Sequence, residues 1–561
     1  MALLALLVGS ALIFAFAYKY YGDFLKKAFG LSDKNKAPSY SMQDNVDFVP
    51  TNPFVVFGHH FSSIAGAGPI VGPVLAALYF GWLPALLWII LGSIFVGGVH
   101  DLGSLLASMR HKAGNVADVA RDYMGSFAGK LFLVFIYLAL LYVIIVFLDL
   151  TALTFTQEGN VATSSNLFIL LAVVFGISTK LFKNFSLSKQ LVVFLPLLLL
   201  GIAAGEWYPI TGVPEFLGSQ KFFWSAMLLI YCFVASITPV WALLQPRDFL
   251  SSFLLYGAIL GGAIGIVLGV FQGNTALTAH WPAVVMESEL KNIGIAPLGM
   301  IFPVLFITIA CGACSGFHSL VSAGTTARQV KSESDAFKIG YGAMLIEGLV
   351  AVISLTTVII LSFQKESFGS PLSVFANGIG NFLSSLGLSQ STGTHFAYLA
   401  ISTFLLTTLD TCTRISRYII QDIFSWDNAV SKNRIIATAL AIAVPAIFAF
   451  MTLTDASGNP IPLWKAIWPI FGASNQLLAA LALLAVTVWL KRTGRKYIFA
   501  LVPMILMLLV TLSALALMFY EQGFNLLGGI ALGLFILGLL ILKESWKAFT
   551  LPQANHETVL V

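Results

Sequence analysis

The chain has 561 residues, 58% of them hydrophobic and 10% charged, and a formal net charge of +5. Soluble proteins carry about 25% charged residues, so this composition excludes a water-soluble globule and makes lipid the solvent for most of the surface. The small positive excess is what basic loops on one side of a membrane produce, and it implies no nucleic-acid partner.

Fifteen apolar segments follow one another, at roughly 1–20, 54–80, 82–109, 127–150, 165–182, 187–205, 222–244, 249–271, 298–327, 339–363, 395–424, 434–452, 464–490, 497–519 and 524–542. Each approaches or exceeds the ~20 residues an α-helix needs to cross the hydrocarbon. Connections are short, so the whole of 1–561 reads as one all-α polytopic membrane domain. Segment 1 has no basic stretch before its apolar run; Lys19, Lys26 and Lys27 follow it instead. It reads as an uncleaved helix entering from outside. All Lys and Arg except Lys221, Lys291, Lys365 and Lys465 fall after odd-numbered segments. Cytoplasmic loops hold that excess, which places the N-terminus outside and the C-terminus inside.

Two stretches outside the spans are notable. Residues 113–123 are amphipathic, suiting a helix on the membrane surface. The connection 364–394 has room for a short re-entrant or interfacial helix after Gly369-Ser370-Pro371, or is a plain outer loop.

Segment 2 is not an ordinary lipid-facing rod. Its stretch 57–73 holds His59 and His60, Ser62 and Ser63, and Gly66-Ala67-Gly68-Pro69. Gly and Pro weaken a helix, and unwound backbone at membrane depth is tolerated only against protein or a water-filled cavity. A break within 65–69 is therefore expected. Segment 9 repeats part of the wording: Gly58-His59-His60 with Ala65-Gly66 matches Gly316-Phe317-His318 with Ala323-Gly324. Paired interrupted segments point to a transporter's binding site. Segment 7, with Ser236-Ile237-Thr238-Pro239, is a competing partner.

Ionisable groups inside spans are costly and usually face a cavity or a partner. Here they are His59, His60, His100, Asp101, Asp149, His318, Glu347, Asp410 and Arg414. His59 and His60 point ~100° apart on a helix, so only one can face a central site squarely. Histidine titrates near physiological pH, which makes proton coupling chemically possible; the structural alternative is a neutral ring bonded to a backbone carbonyl. Asp101 suits a proton carrier, a histidine partner or a structural pair for an arginine. Glu347, alone among Leu and Ile, suits a proton carrier or a neutral hydrogen bond. Asp410 and Arg414 stand one helical turn apart and can pair as a clamp or gate.

The four cysteines all lie in apolar segments, so no disulfide framework is visible. Cys311-x-x-Cys314 reads as small packing residues before it reads as a metal or redox site. There is no nucleotide P-loop, no His-Glu-x-x-His and no Gly-x-Ser-x-Gly, hence no enzyme signature and no sign of ATP-driven transport.

Five strings resemble the carbon starvation protein A family of bacterial inner-membrane transporters. They are Asp47-Phe48-Val49-Pro50-Thr51 leading into 57–73; Pro239-Val240-Trp241 through Pro246-Arg247-Asp248; 306–326; 468–476, which includes Asn475-Gln476; and Leu409-Asp410 with Thr413-Arg414 and Gln421-Asp422. The resemblance covers about 45–500. It implies a secondary carrier related to the amino acid–polyamine–organocation superfamily, with a leucine-transporter-like core of inverted repeats. It also implies uptake of peptides or of pyruvate with protons, as part of a response to carbon starvation. Two departures from longer members, at the N-terminus and before segment 11, bear on the substrate.

The expected substrate site therefore comprises His59, His60, Ser62, Ser63, Gly66, Gly68, Ser315, His318, Ser319 and Asn475, without a metal or cofactor. His60, Asp101, His318 and Glu347 are the candidates for proton coupling. A sodium-coupled amino-acid-type carrier would use Ser322, Thr325 and Thr326 instead. A metal-binding or redox membrane protein built on the histidines and cysteines is the reading from another class.

Overall fold

In hydrocarbon each backbone N–H and C=O must find its partner within its own segment, which leaves the α-helix as the local solution for long apolar stretches. The computed structural model describes residues 1–44, 48–181, 187–240, 242–292, 297–363, 369–427, 430–454 and 460–550. Asp47 and Trp241 of the resembling strings lie outside these residues. Among the described residues thirteen helices are long and apolar enough to cross a membrane, and the bent pair Pro53–Ile64 and Gly68–Phe80 makes a fourteenth span. The remaining span is interrupted: helix Ile301–Thr308, an irregular stretch, then helix Phe317–Val321 running into a π-helical turn at Ser322–Thr326. Fourteen of the fifteen expected segments are thus spans in order among the described residues, and the ninth is built of short helices around an irregular stretch.

The break in segment 2 falls at 65–67, between half-helices inclined at 42°. The surface helix expected at 113–123 is Val116–Met124, started by a reciprocal Asn115/Asp118 capping box. The connection 364–394, open between a short helix and a plain loop, contains helix Pro371–Ser384, capped by Ser370. Segment 7 corrects one expectation. Its helix ends at Ile237, and Pro239 lies in the turn before helix Leu244–Phe271. Ser236–Pro239 is therefore a helix terminus, and the second break belongs to segment 9.

Six spans lie between the two broken segments among the described residues, an even number, so the two run in opposite directions. Each is followed by a full span, Trp82–Arg110 after the first and Glu333–Ile359 after the second. Each then leads to one of the longest helices, Ser126–Gln157 with 32 residues and Gln390–Ile423 with 34. Broken segment, span, long helix, repeated upside down, is the frame that holds the site. The shared Gly-His wording is not part of that repeat. His60 precedes its break and His318 follows its own, so these histidines occupy opposite halves of their segments.

Candidate functional site

The broken segments cross closely because their residues are small. A Cβ added at Gly68 would lie 2.3 Å from Cys311 Sγ, and one at Gly66 would lie 2.5 Å from Thr408 Oγ1. Any larger residue at either position forces the two breaks, or the first break and helix Gln390–Ile423, apart.

A break exposes the carbonyls of one half-helix and the N–H groups of the next. In segment 9 the pair Asn475-Gln476 satisfies both sides. Gln476 Nε2 donates to Phe306 O at 2.5 Å, while the Phe317 N–H donates to Asn475 Oδ1 at 3.0 Å. Asn475 Nδ2 also donates to Ser315 Oγ at 3.1 Å. Asn475 and Ser315, both expected at the substrate, are thus engaged at the break itself. The hydroxyls of Ser62, Ser63 and Ser319 likewise donate to backbone carbonyls, those of Asp248, His59 and Gly316. The break in segment 2 differs: among the described residues the helix starting at Gly68 has no side-chain cap, and the buried Thr408 hydroxyl beside Gly66 has no hydrogen-bond partner.

Adjacent His59 and His60 diverge, as their ~100° separation requires. His60 Nδ1 lies 2.8 Å from Thr326 Oγ1, joining the first broken segment to the second. His59 Nδ1 lies 2.8 Å from Asp248 Oδ2, a close polar contact with poor hydrogen-bond angles. His59 therefore meets a polar cluster on helix Leu244–Phe271, while His60 turns toward segment 9.

The first cluster is built on Asp101. Its carboxylate is bracketed by His100 Nδ1 at 2.7 Å and His318 Nδ1 at 2.8 Å. His318 Nε2 lies 3.4 Å from Glu347 Oε2, within ion-pair range and outside hydrogen-bond geometry. All four side chains are fully buried. With both Nδ1 atoms donating to Asp101, a neutral His318 presents its Nε2 lone pair to Glu347. Asp101, expected as a proton carrier, a histidine partner or an arginine pair, has two histidine partners and no arginine among the described residues.

The second cluster is built on Arg247, which is wholly buried. Its guanidinium contacts the carboxylates of Asp248 and Asp410. It also donates to Tyr231 Oη at 2.6 Å, and that hydroxyl donates to Asp410 at 2.7 Å. The expected Asp410–Arg414 pair does not form. Arg414 instead donates to Ala235 O at 2.6 Å and to Thr238 O. A helix C-terminus offers free carbonyls and the negative end of the dipole; Arg414 caps helix Gln220–Ile237, and Asp410 takes the nearer buried cation. Arg247 and Tyr231 were not among the expected site residues. Arg247-Asp248 stood in a resembling string, and only the tertiary contacts disclose its partners.

Of the other candidates, Asp149 pairs with Lys221 Nζ at 2.5 Å and accepts from the Trp464 N–H at 2.9 Å, an anchor away from both breaks. Thr325 Oγ1 donates to Val321 O at 3.0 Å, and Ser322 Oγ is buried without a partner among the described residues. Among the described residues no group of three or more His, Cys, Asp or Glu is arranged to hold a metal ion.

Many apolar spans, two broken segments crossing at buried polar clusters, and an inverted order of elements define a multi-pass secondary transporter of leucine-transporter-like fold. The solved manganese transporter of Eremococcus coleocola shares that fold, with a TM-score of 0.53 at 13% identity over 90% of this chain and 99% of that one. The family described as Carbon starvation protein CstA matches residues 2–368 and 363–514, and the chain belongs to it. Peptide transporter CstA of Campylobacter jejuni is 33% identical over 92% of this chain and 81% of its own length. Pyruvate/proton symporter BtsT of Escherichia coli K12 is 30% identical over 92% and 82%.

Proposed function

We propose that this chain takes up a small carboxylate such as pyruvate, or a short peptide, together with protons across the bacterial inner membrane. Its N-terminus would be outside and its C-terminus cytoplasmic, as the basic loops suggest. The observation that carries the coupling is the Asp101–His318–Glu347 cluster. It joins the second broken segment to the spans Trp82–Arg110 and Glu333–Ile359. No Lys or Arg is bonded to its members among the described residues, so its charge can change only by proton transfer. A buried cluster of this kind changes charge at modest cost as a segment moves.

Peptides and pyruvate, the cargoes in the relatives' names, share a carboxylate. The uncapped start of helix Gly68–Phe80, with the unpartnered Thr408 hydroxyl beside it, supplies donors for that group. His60 and His318 stand at the inner halves of the two segments, linking substrate to proton.

Proteoliposome uptake of labelled pyruvate and of di- and tripeptides tests the reading. An inward proton gradient should accelerate uptake in sodium-free buffer, and an uncoupler should abolish it. Sodium-dependent uptake without a pH response would overturn it. For orientation, cysteine tags in 272–292 should react from outside and tags in 328–338 only from inside; the reverse would invert the topology.

A further inference from the structure

A crevice of about 770 Å³ opens on the lipid-facing side between the first helix, Ala2–Phe29, and the start of helix Ile498–Gln522. Its wall is aromatic: Tyr21, Phe24, Phe95 and Phe499 line it. Phe24 and Phe95 are exposed to what would be the bilayer. Its rim, at the turn after Arg492, carries Arg495 and Lys496.

The charge at this rim is not balanced by protein. Arg495 donates to the carbonyl of Phe29 at 2.7 Å, a neutral acceptor. Burial, together with the positive charge of Arg110 beside it, pushes the Arg495 guanidinium below its ordinary pKa. The nearby Glu333 is occupied by Arg110, which bonds both its oxygens at 2.8 and 2.9 Å. Lys496 is exposed and has no ion-pair or hydrogen-bond partner among the described residues.

An aromatic slot within the hydrocarbon that ends in two unneutralised cations at its edge calls for an amphipathic anion. Basic pockets between spans at the headgroup level bind anionic lipid, and guanidinium–phosphate contacts are among the stronger hydrogen bonds. Free phosphate would satisfy the rim and leave the apolar wall unfilled.

We propose that an anionic phospholipid occupies this crevice, with its phosphate on Arg495 and Lys496 and an acyl chain against Phe24, Phe95 and Phe499. The site touches the transport machinery through one helix. Phe95 lies in the π-helical stretch Gly92–Gly97, directly before the turn that carries His100 and Asp101. Lipid occupancy therefore bears on the position of the proton cluster.

Thermal-shift titration of the full-length protein in neutral detergent tests this, using phosphatidylglycerol, phosphatidylcholine and inorganic phosphate in parallel. Phosphatidylglycerol should raise the unfolding temperature saturably, and the other two should not. Lys496→Gln should weaken the apparent phosphatidylglycerol affinity severalfold, and Arg495→Gln by about tenfold. Lys432→Gln, an exposed charge on a helix that does not line the crevice, should leave it unchanged. If Arg495→Gln does not fold, the Lys496 and Lys432 variants decide alone. Equal stabilisation by phosphatidylcholine or by inorganic phosphate would overturn the proposal, as would equal losses for Lys496→Gln and Lys432→Gln.

Discussion

Two buried polar clusters flank the adjacent histidines of segment 2, and they differ in one respect that decides their roles. The Arg247 cluster contains a permanent cation held by Asp248 and Asp410, with Tyr231 bridging. The Asp101 cluster contains only imidazoles and carboxyls. A guanidinium keeps its charge throughout a transport cycle, so the first cluster is suited to tying helices together. The second can gain and lose a proton. His59 and His60, neighbours in sequence, thus connect one broken helix to the ionic anchor and to Thr326 on the second broken segment.

The largest effect should come from breaking the anchor. Arg247→Gln strands two buried carboxylates, a loss of about 3–5 kcal/mol. The variant should lose most of its folded yield and unfold at a markedly lower temperature in a detergent melt. Survival at wild-type stability would show that the cluster is not an anchor.

The titrating cluster should respond differently. His318→Gln keeps a hydrogen-bonding side chain and removes the basic nitrogen, so gradient-driven uptake should fall by at least about tenfold, equivalent to ~1.4 kcal/mol. Substrate exchange at equal pH should persist. Equal loss of both activities would make His318 a binding residue rather than a coupling one.

These contrasts indicate what the sequence conveys and what it does not. Spans are legible because a membrane demands long apolar runs, and the break at 65–67 is legible because Gly66, Gly68 and Pro69 are poor helix formers at a depth where nothing else explains them. The surface helix and the helix Pro371–Ser384 carry local signals in amphipathicity and in a Ser-Pro start. Partners are another matter. Asp101 and His318 are 217 residues apart, and Arg247 and Asp410 are 163 apart. Periodicity within a helix carries no information about such pairs. Local spacing even misleads: Asp410 and Arg414 look like a one-turn ion pair, yet each finds a better partner on another helix. The repeated Gly-His wording misleads in the same way, since the true repeat lies in the order of elements.

A smaller effect should follow from the link between the two broken segments. Thr326→Val removes the partner of His60 Nδ1, leaving a buried polar atom unsatisfied at a cost of about 1–3 kcal/mol. Uptake should show a raised KM, with the response to the proton gradient intact. A lost gradient response would move His60 into the coupling cluster.

The smallest should be Arg414→Met, which uncaps helix Gln220–Ile237 and frees the carbonyls of Ala235 and Thr238, costing about 1–2 kcal/mol. Its unfolding temperature should drop modestly and its transport should keep the wild-type pH profile. A changed profile would place Arg414 in the gate expected of it.

Proton movement itself is the most direct measurement. With a pH-sensitive dye inside proteoliposomes, an inward substrate gradient across the wild-type protein should acidify the lumen. Glu347→Gln, reconstituted at equal density, should carry labelled substrate in exchange and produce no acidification. Wild-type acidification by the Glu347→Gln protein would contradict the assignment of Glu347 to the coupling cluster. Substrate entry through the wild-type protein with no acidification would contradict proton coupling altogether.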